Sequence, residues 1–92
     1  MFVLFVAFHS HEAIEHSSEM FVGEDETALK NLAKKWIVNN VRKCVHNNLR
    51  EYLKELIDQD ADYYAIVDAI SENSNVVIMG ECFNSDTYKK TA

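Results

Sequence analysis

Residues 8–19, FHSHEAIEHSSE, hold three histidines (His9, His11, His16) and three glutamates (Glu12, Glu15, Glu19). Imidazole nitrogens and carboxylate oxygens are the donors zinc takes from proteins, and imidazoles also move protons near neutral pH. Spacing decides between these uses. A helix that holds zinc through two histidines needs them four apart on one face, with a glutamate beside the first. His11 and His16 are five apart, about 140° around a helix axis, and cannot share an ion from one helix. On a hairpin the geometry differs: a turn centred on Glu12 and Ala13 sets His9 opposite His16. With His11, and with Glu12 or Glu15 nearby, that pair has the donors for Zn²⁺. The plainer reading is a polar loop whose histidines face water. It is the expectation here, with no metal and no cofactor, because no cysteine joins the cluster locally and turns collect polar residues anyway.

Nucleophilic chemistry has weaker support. Cys44 and His46 lie two apart, about 200° around a helix, so they cannot pair directly there. Such a pair also needs a third group to orient the base and a donor pair for the oxyanion, and no motif supplies either. Gly23 and Gly80 are the only glycines, which leaves no phosphate-cradling loop. A non-enzymatic protein is expected.

The charge layout is more informative. Residues 1–29 carry six acids (Glu12, Glu15, Glu19, Glu24, Asp25, Glu26) and no Lys or Arg. Residues 30–54 carry seven bases (Lys30, Lys34, Lys35, Arg42, Lys43, Arg50, Lys54) against Glu51 alone. Residues 55–84 return to seven acids and no base, and the whole chain has a formal net charge of −6. On one continuous helix Arg42, Lys43, His46, Arg50 and Lys54 fall opposite Val41, Val45 and Leu49, as a single exposed basic stripe. Such a stripe suits phosphates or an acidic protein surface, while the acidic segments repel bare nucleic acid. Free duplex DNA is therefore a poor partner. A protein or protein–RNA complex that offers both basic protein and phosphate satisfies both halves. The alternative, a solvated face balanced by acidic segments folded around it, stays open.

Ninety-two residues suit a single domain, 1–92, with a modest core. At 48% hydrophobic residues, with one Trp, four Tyr and five Phe, there is enough apolar material to fold. The polar end, residues 85–92, reads as a flexible tail. The opening MFVLFVAF is apolar for only eight residues, with no base before it, too short for a membrane span or a signal-peptide core with its cleavage site. No membrane association, a cytoplasmic location and reduced thiols at Cys44 and Cys82, both in packing roles, are expected.

The elements that must position these residues follow from periodicity. FVLFVAFH is apolar on both alternating sets, which implies a central strand with two buried faces. EHSSEMFV is mostly polar and suits an edge. The connection lacks Gly, Pro and Asn, so a loop longer than the tightest turns is expected. EDET after Gly23 opens a helix, its carboxylates meeting free N–H groups. Helical apolar spacing then runs from Leu29 through Trp36, Ile37, Val41, Val45, Leu49 and Leu53 to Ile57. Lys30 and Lys34, however, share a face with Val41 and Val45, so a bend at Asn39-Asn40 or at Asn47-Asn48 is predicted. A third helix spans about 60–71 with Asp60 as N-cap and Tyr63, Ile66, Val67 and Ile70 inward. ENSN turns the chain into a last strand, VVIMGECF, where Gly80 marks a bulge or a close backbone approach. The fold class is α+β, ββααβ-like: a small antiparallel sheet of an N-terminal hairpin and a C-terminal strand, with two or three helices on one face.

The stretch VGEDETALKNLAKKW after an apolar hairpin, together with the charge pattern, resembles the small phage-encoded inhibitors of bacterial defence, such as the anti-CRISPR proteins. These share no common motif, so no functional residue carries over. The resemblance implies occlusion: docking on a CRISPR surveillance complex in the host cytoplasm and blocking guide pairing or target access. The residues expected to meet such a partner are Lys30, Lys34, Lys35, Arg42, Lys43, His46, Arg50 and Lys54, with Glu24, Asp25 and Glu26. A His-cluster metal-binding regulator and a salt-sensitive homodimer, basic helix against acidic surface, are the alternatives.

Overall fold

The computed structural model describes residues 1–10 and 15–84. The chain runs β1 (Phe2–Ser10), β2 (Glu15–Gly23), α1 (Glu26–Val41), a 3₁₀ turn (Arg42–Cys44), α2 (Asn47–Asp58), α3 (Tyr63–Asn73) and β3 (Val76–Asn84). The three strands form one antiparallel sheet in the order β2-β1-β3, so the small α+β architecture is as expected. The expected loop between the first two strands falls on residues 11–14, and the tail on 85–92, both outside the described residues.

β1 is the central strand, but only one of its faces is buried. Leu4, Val6 and Phe8 point into the core, whereas Phe5 on the opposite face is 40% exposed. α1 lies over β1 and β2, where Trp36 meets Phe8 at 5.9 Å and Phe21 at 6.5 Å between ring centroids. α3 lies against β3, and α2 packs on α1 and α3. Two layers leave the second sheet face without a described element on it.

α1 and α3 start on side-chain caps, whereas α2 starts without one. Asp25 accepts a hydrogen bond from the Thr27 N–H at 3.0 Å and caps α1. The long helical pattern breaks between the two asparagine pairs: the backbone tightens to 3₁₀ over Arg42–Cys44, turns extended at Val45 and His46, and restarts at Asn47. Leu32, three residues after Leu29 on α1, stands 54% exposed, off the buried stripe of Leu29, Ala33, Ile37 and Val41. α3 is capped by Asp62, which accepts from the Ala65 N–H at 2.8 Å, and not by Asp60.

Asp60 instead ends α2. Its φ of 57° is left-handed, its N–H bonds the Ile57 carbonyl at 3.0 Å, and the Ala61 N–H reaches back to the Leu56 carbonyl at 2.9 Å. This is the paired C-terminal closure that usually takes glycine, tolerated by Asp because its short side chain suits that conformation. At the end of α3 the Ser74 hydroxyl donates to the Ile70 carbonyl at 2.6 Å and accepts from the Val76 N–H at 3.2 Å, leading directly into β3.

Gly80 sits opposite Val6 in an unbroken ladder, so no bulge occurs there. The close approach comes from a side chain rather than a backbone: a Cβ at this position would run into the Tyr63 hydroxyl. Tyr63 is itself buried at the start of α3 and has little room to retreat. Gly80→Ala is expected to destabilise the protein by about 1–3 kcal/mol through overpacking. Tyr63→Phe should recover part of that loss in the double variant, as read from urea unfolding midpoints of all four proteins.

Candidate functional site

The break after α1 opens a cleft of about 510 Å³ between the end of that helix and α2. Arg42, Arg50 and Lys54 line it, with Asn39, Asn47 and Glu51 as polar neighbours and Val38, Leu53 and Ile57 as an apolar floor. Lys35 continues this surface along α1, since residues 35, 39 and 42 fall on one helical face. Arg50 is anchored: its Nε and Nη2 both donate to the Val45 carbonyl at 3.1 Å, which fixes the guanidinium plane and leaves further N–H groups for a ligand.

The predicted stripe is not continuous. His46 lines a separate recess with Asn48, Leu49, Tyr52 and Asn73. Lys43 is exposed but lines neither cavity. The extended backbone at Val45 and His46 separates residues that one unbroken helix would have aligned.

Two of the predicted cations are committed elsewhere. Lys34 is 2% exposed, its stem in the core and its ammonium donating to Asp60 Oδ1 at 3.1 Å and to the Ala61 carbonyl at 2.5 Å. It belongs to the folded interior and not to an exposed partner surface. Lys30 pairs with Glu26 at 2.8 Å, donates to the Tyr64 hydroxyl at 2.7 Å and lies 4.8 Å from that ring's centroid. Lys35, Arg42, Lys43, Arg50 and Lys54 have no carboxylate at ion-pair distance among the described residues. Among the described residues, the carboxylate nearest the basic cleft is that of Glu51, which lines it without reaching ion-pair distance.

The acidic candidates stand at the other end of α1, about 24 Å away for a sixteen-residue helix. Glu24 meets the chain's amino terminus at 3.6 Å, Asp25 caps α1, and Glu26 holds Lys30. All three therefore have local structural roles.

His9 and His16 are register partners on β1 and β2, as the hairpin pairing required, and both are exposed. His11 lies outside the described residues. Among the described residues no group of three or more His, Cys, Asp or Glu side chains is placed to hold a metal ion. Cys44 and Cys82 are half-buried and packed against the core. Among the described residues no helix is long and apolar enough to cross a membrane.

A cluster that the sequence did not announce surrounds Lys30. Its hydrogen bonds to Glu26 and then Tyr64 raise the ammonium's pKa above the ordinary value of 10.5. Burial raises the Tyr63 phenol above 10.0, with Tyr64 adding to it, and burial followed by the Glu26 charge raises the Cys82 thiol above 9.0. Every shift favours the protonated form, so the Cys82 thiol and the Tyr63 phenol are held away from the ionised states that make nucleophiles or bases.

No protein-family model matches the chain, and neither the curated proteins nor the solved structures give a significant match.

Because folding raises the pKa of Lys30, Tyr63 and Cys82, their stabilising contribution is whole below their ordinary values and is lost as pH rises past them. Urea midpoints should hold steady from neutral pH to about pH 9 and then fall. Combining Lys30→Met with Tyr63→Phe should flatten that fall. Lys34→Ala is expected to cost about 2–4 kcal/mol, because it empties packed volume and removes two hydrogen bonds. Lys35→Ala and Lys54→Ala should stay within about 0.5 kcal/mol in the same unfolding assay.

Proposed function

We propose that the protein is a non-enzymatic binding protein that docks on a nucleoprotein and blocks access to its nucleic acid. The observation that carries this reading is the basic cleft: Arg42, Arg50 and Lys54 converge on one recess, with Lys35 and Lys43 exposed beside it, and no described carboxylate pairs with any of them. Cations converging on a recess with an apolar floor suit a phosphate backbone, and a fixed guanidinium adds directional donors. The net charge of −6 and the acidic end of α1 oppose adhesion to bare nucleic acid. A partner offering a basic protein surface beside its phosphates resolves that conflict. The resemblance to anti-CRISPR inhibitors names one such partner, a guide-loaded CRISPR surveillance complex.

The test is a titration of labelled protein against a purified guide-loaded surveillance complex, with the guide RNA alone and duplex DNA as controls. Binding to the complex should weaken by roughly tenfold to a hundredfold between 50 and 200 mM salt, as release of counterions from a few phosphates requires. The Arg42→Glu, Lys43→Glu, Lys54→Glu triple variant, folded by circular dichroism, should lose at least an order of magnitude in affinity and its block of target binding. Full affinity in that variant, or no binding by the wild-type protein to complex or guide, overturns the reading.

A further inference from the structure

The helix-free face of the sheet is apolar. Phe5 stands at its centre on β1, flanked by Met20 and Val22 on β2 and by Val77 and Met79 on β3, each 40–61% exposed. These five are the majority of the nine large hydrophobic residues exposed on the described surface, so the exposure is a patch and not scatter. Among the described residues this face carries one carboxylate, Glu81, and no Lys or Arg. Its polar groups lie on the flanking strands or at one end: Glu81 on β3, Ser18 on β2, and the His9–His16 pair.

We propose that this face is the interface of a homodimer, two copies packing sheet to sheet with their helices outward. Three considerations select a second copy as the occupant. Two chains of net charge −6 repel one another on the whole, and a second copy can meet this face without bringing many like charges together, since it carries only Glu81 among its described residues.

The face is also complementary to itself. A two-fold axis running across the strands lays the row Met20–Phe5–Glu81 of one copy over the row Ser18–Ala7–Met79 of the other. Phe5 then meets Ala7 and Met20 meets Ser18, large against small, while the Glu81 carboxylates avoid one another and can reach water past the β3 edge. Finally, the area suits a weak dimer. Three strands about 4.8 Å apart and nine residues at about 3.4 Å each make a face of roughly 400 Å². With side-chain relief, two copies would remove roughly 1,000–1,200 Å² from water, which clears the floor of about 1,000 Å² and fits a weak, concentration-dependent pair with an apolar centre and polar rim.

Sedimentation velocity and light scattering across a concentration series test this directly. The expected species at tens of micromolar has twice the chain mass of 10.6 kDa and persists in about 1 M salt, since apolar contact is not screened. Met20→Lys with Met79→Lys, on exposed positions, should keep the circular dichroism spectrum and shift the dimer to monomer by at least a hundredfold in Kd. The Arg42, Lys43 and Lys54 reversals should leave the dimer intact, so failure of this inference and failure of the nucleoprotein reading are separable. A wild-type protein that stays monomeric at several hundred micromolar overturns the proposal. So does a dimer that survives the two lysines, or one that dissociates with added salt.

Discussion

A single sheet face supports the fold. Leu4, Val6 and Phe8 on β1 form the buried floor, and α1 and α3 cover it while α2 packs on those two helices. A continuous helix of about thirty residues would extend about 45 Å, against about 30 Å for a nine-residue strand, so it would project beyond the sheet. Folding it back lets Leu49 and Leu53 reach the same core as Ile37 and Val41. The interruption over residues 42–46 is thus a requirement of burial, and the basic cleft is its by-product: the cleft exists because two helices meet there at an angle.

The same constraint explains Lys34. Its position on α1 faces inward because Leu29, Ala33, Ile37 and Val41 fix the rotation of that helix. A buried ammonium needs acceptors, and the closure of α2 supplies them: Asp60 gives a carboxylate and Ala61 a carbonyl, both at the turn into α3. The unusual left-handed aspartate is tolerable where glycine would be easier, because it also receives Lys34. One long side chain therefore joins α1 to the α2–α3 corner. The Asp60 carboxylate remains largely in water, so the pair acts mainly by satisfying the lysine and contributes little as an ion pair in its own right.

The elements and their order were legible because hydrophobic period is a local property: the two-residue alternation of β1, the Asp25 cap and the conflict between Lys34 and Val41 all lie within a few residues. The hairpin register was legible too, since it depends only on where the turn is centred. What sequence could not supply was anything set by contact across the chain. Asp60 and Asp62 are equally good caps on paper, and only the closure geometry of α2 assigns the first to an end and the second to a start. Gly80 looked like a backbone irregularity, whereas its cause is the Tyr63 hydroxyl, seventeen positions away. The second apolar face of β1 suggested burial, but periodicity records which residues share a face and not whether the chain has enough helix to cover it. Among the basic residues, sequence gave the set; partner geometry separated Lys30 and Lys34 from the exposed remainder.

The two proposed surfaces constrain one another. The basic cleft lies on the helical side of the molecule and the apolar face on the opposite side of the sheet, so a sheet-to-sheet dimer would carry its two clefts on outward, opposed faces. Two clefts so placed cannot engage one flat surface together, and no gain from effective concentration would follow on a single binding site. Such a dimer is suited instead to joining two nucleoproteins, or two distant segments of one, with one chain on each. Occlusion by this protein would then consume one chain per site whatever its oligomeric state, and dimerisation would add crosslinking of partners rather than tighter binding to any one of them.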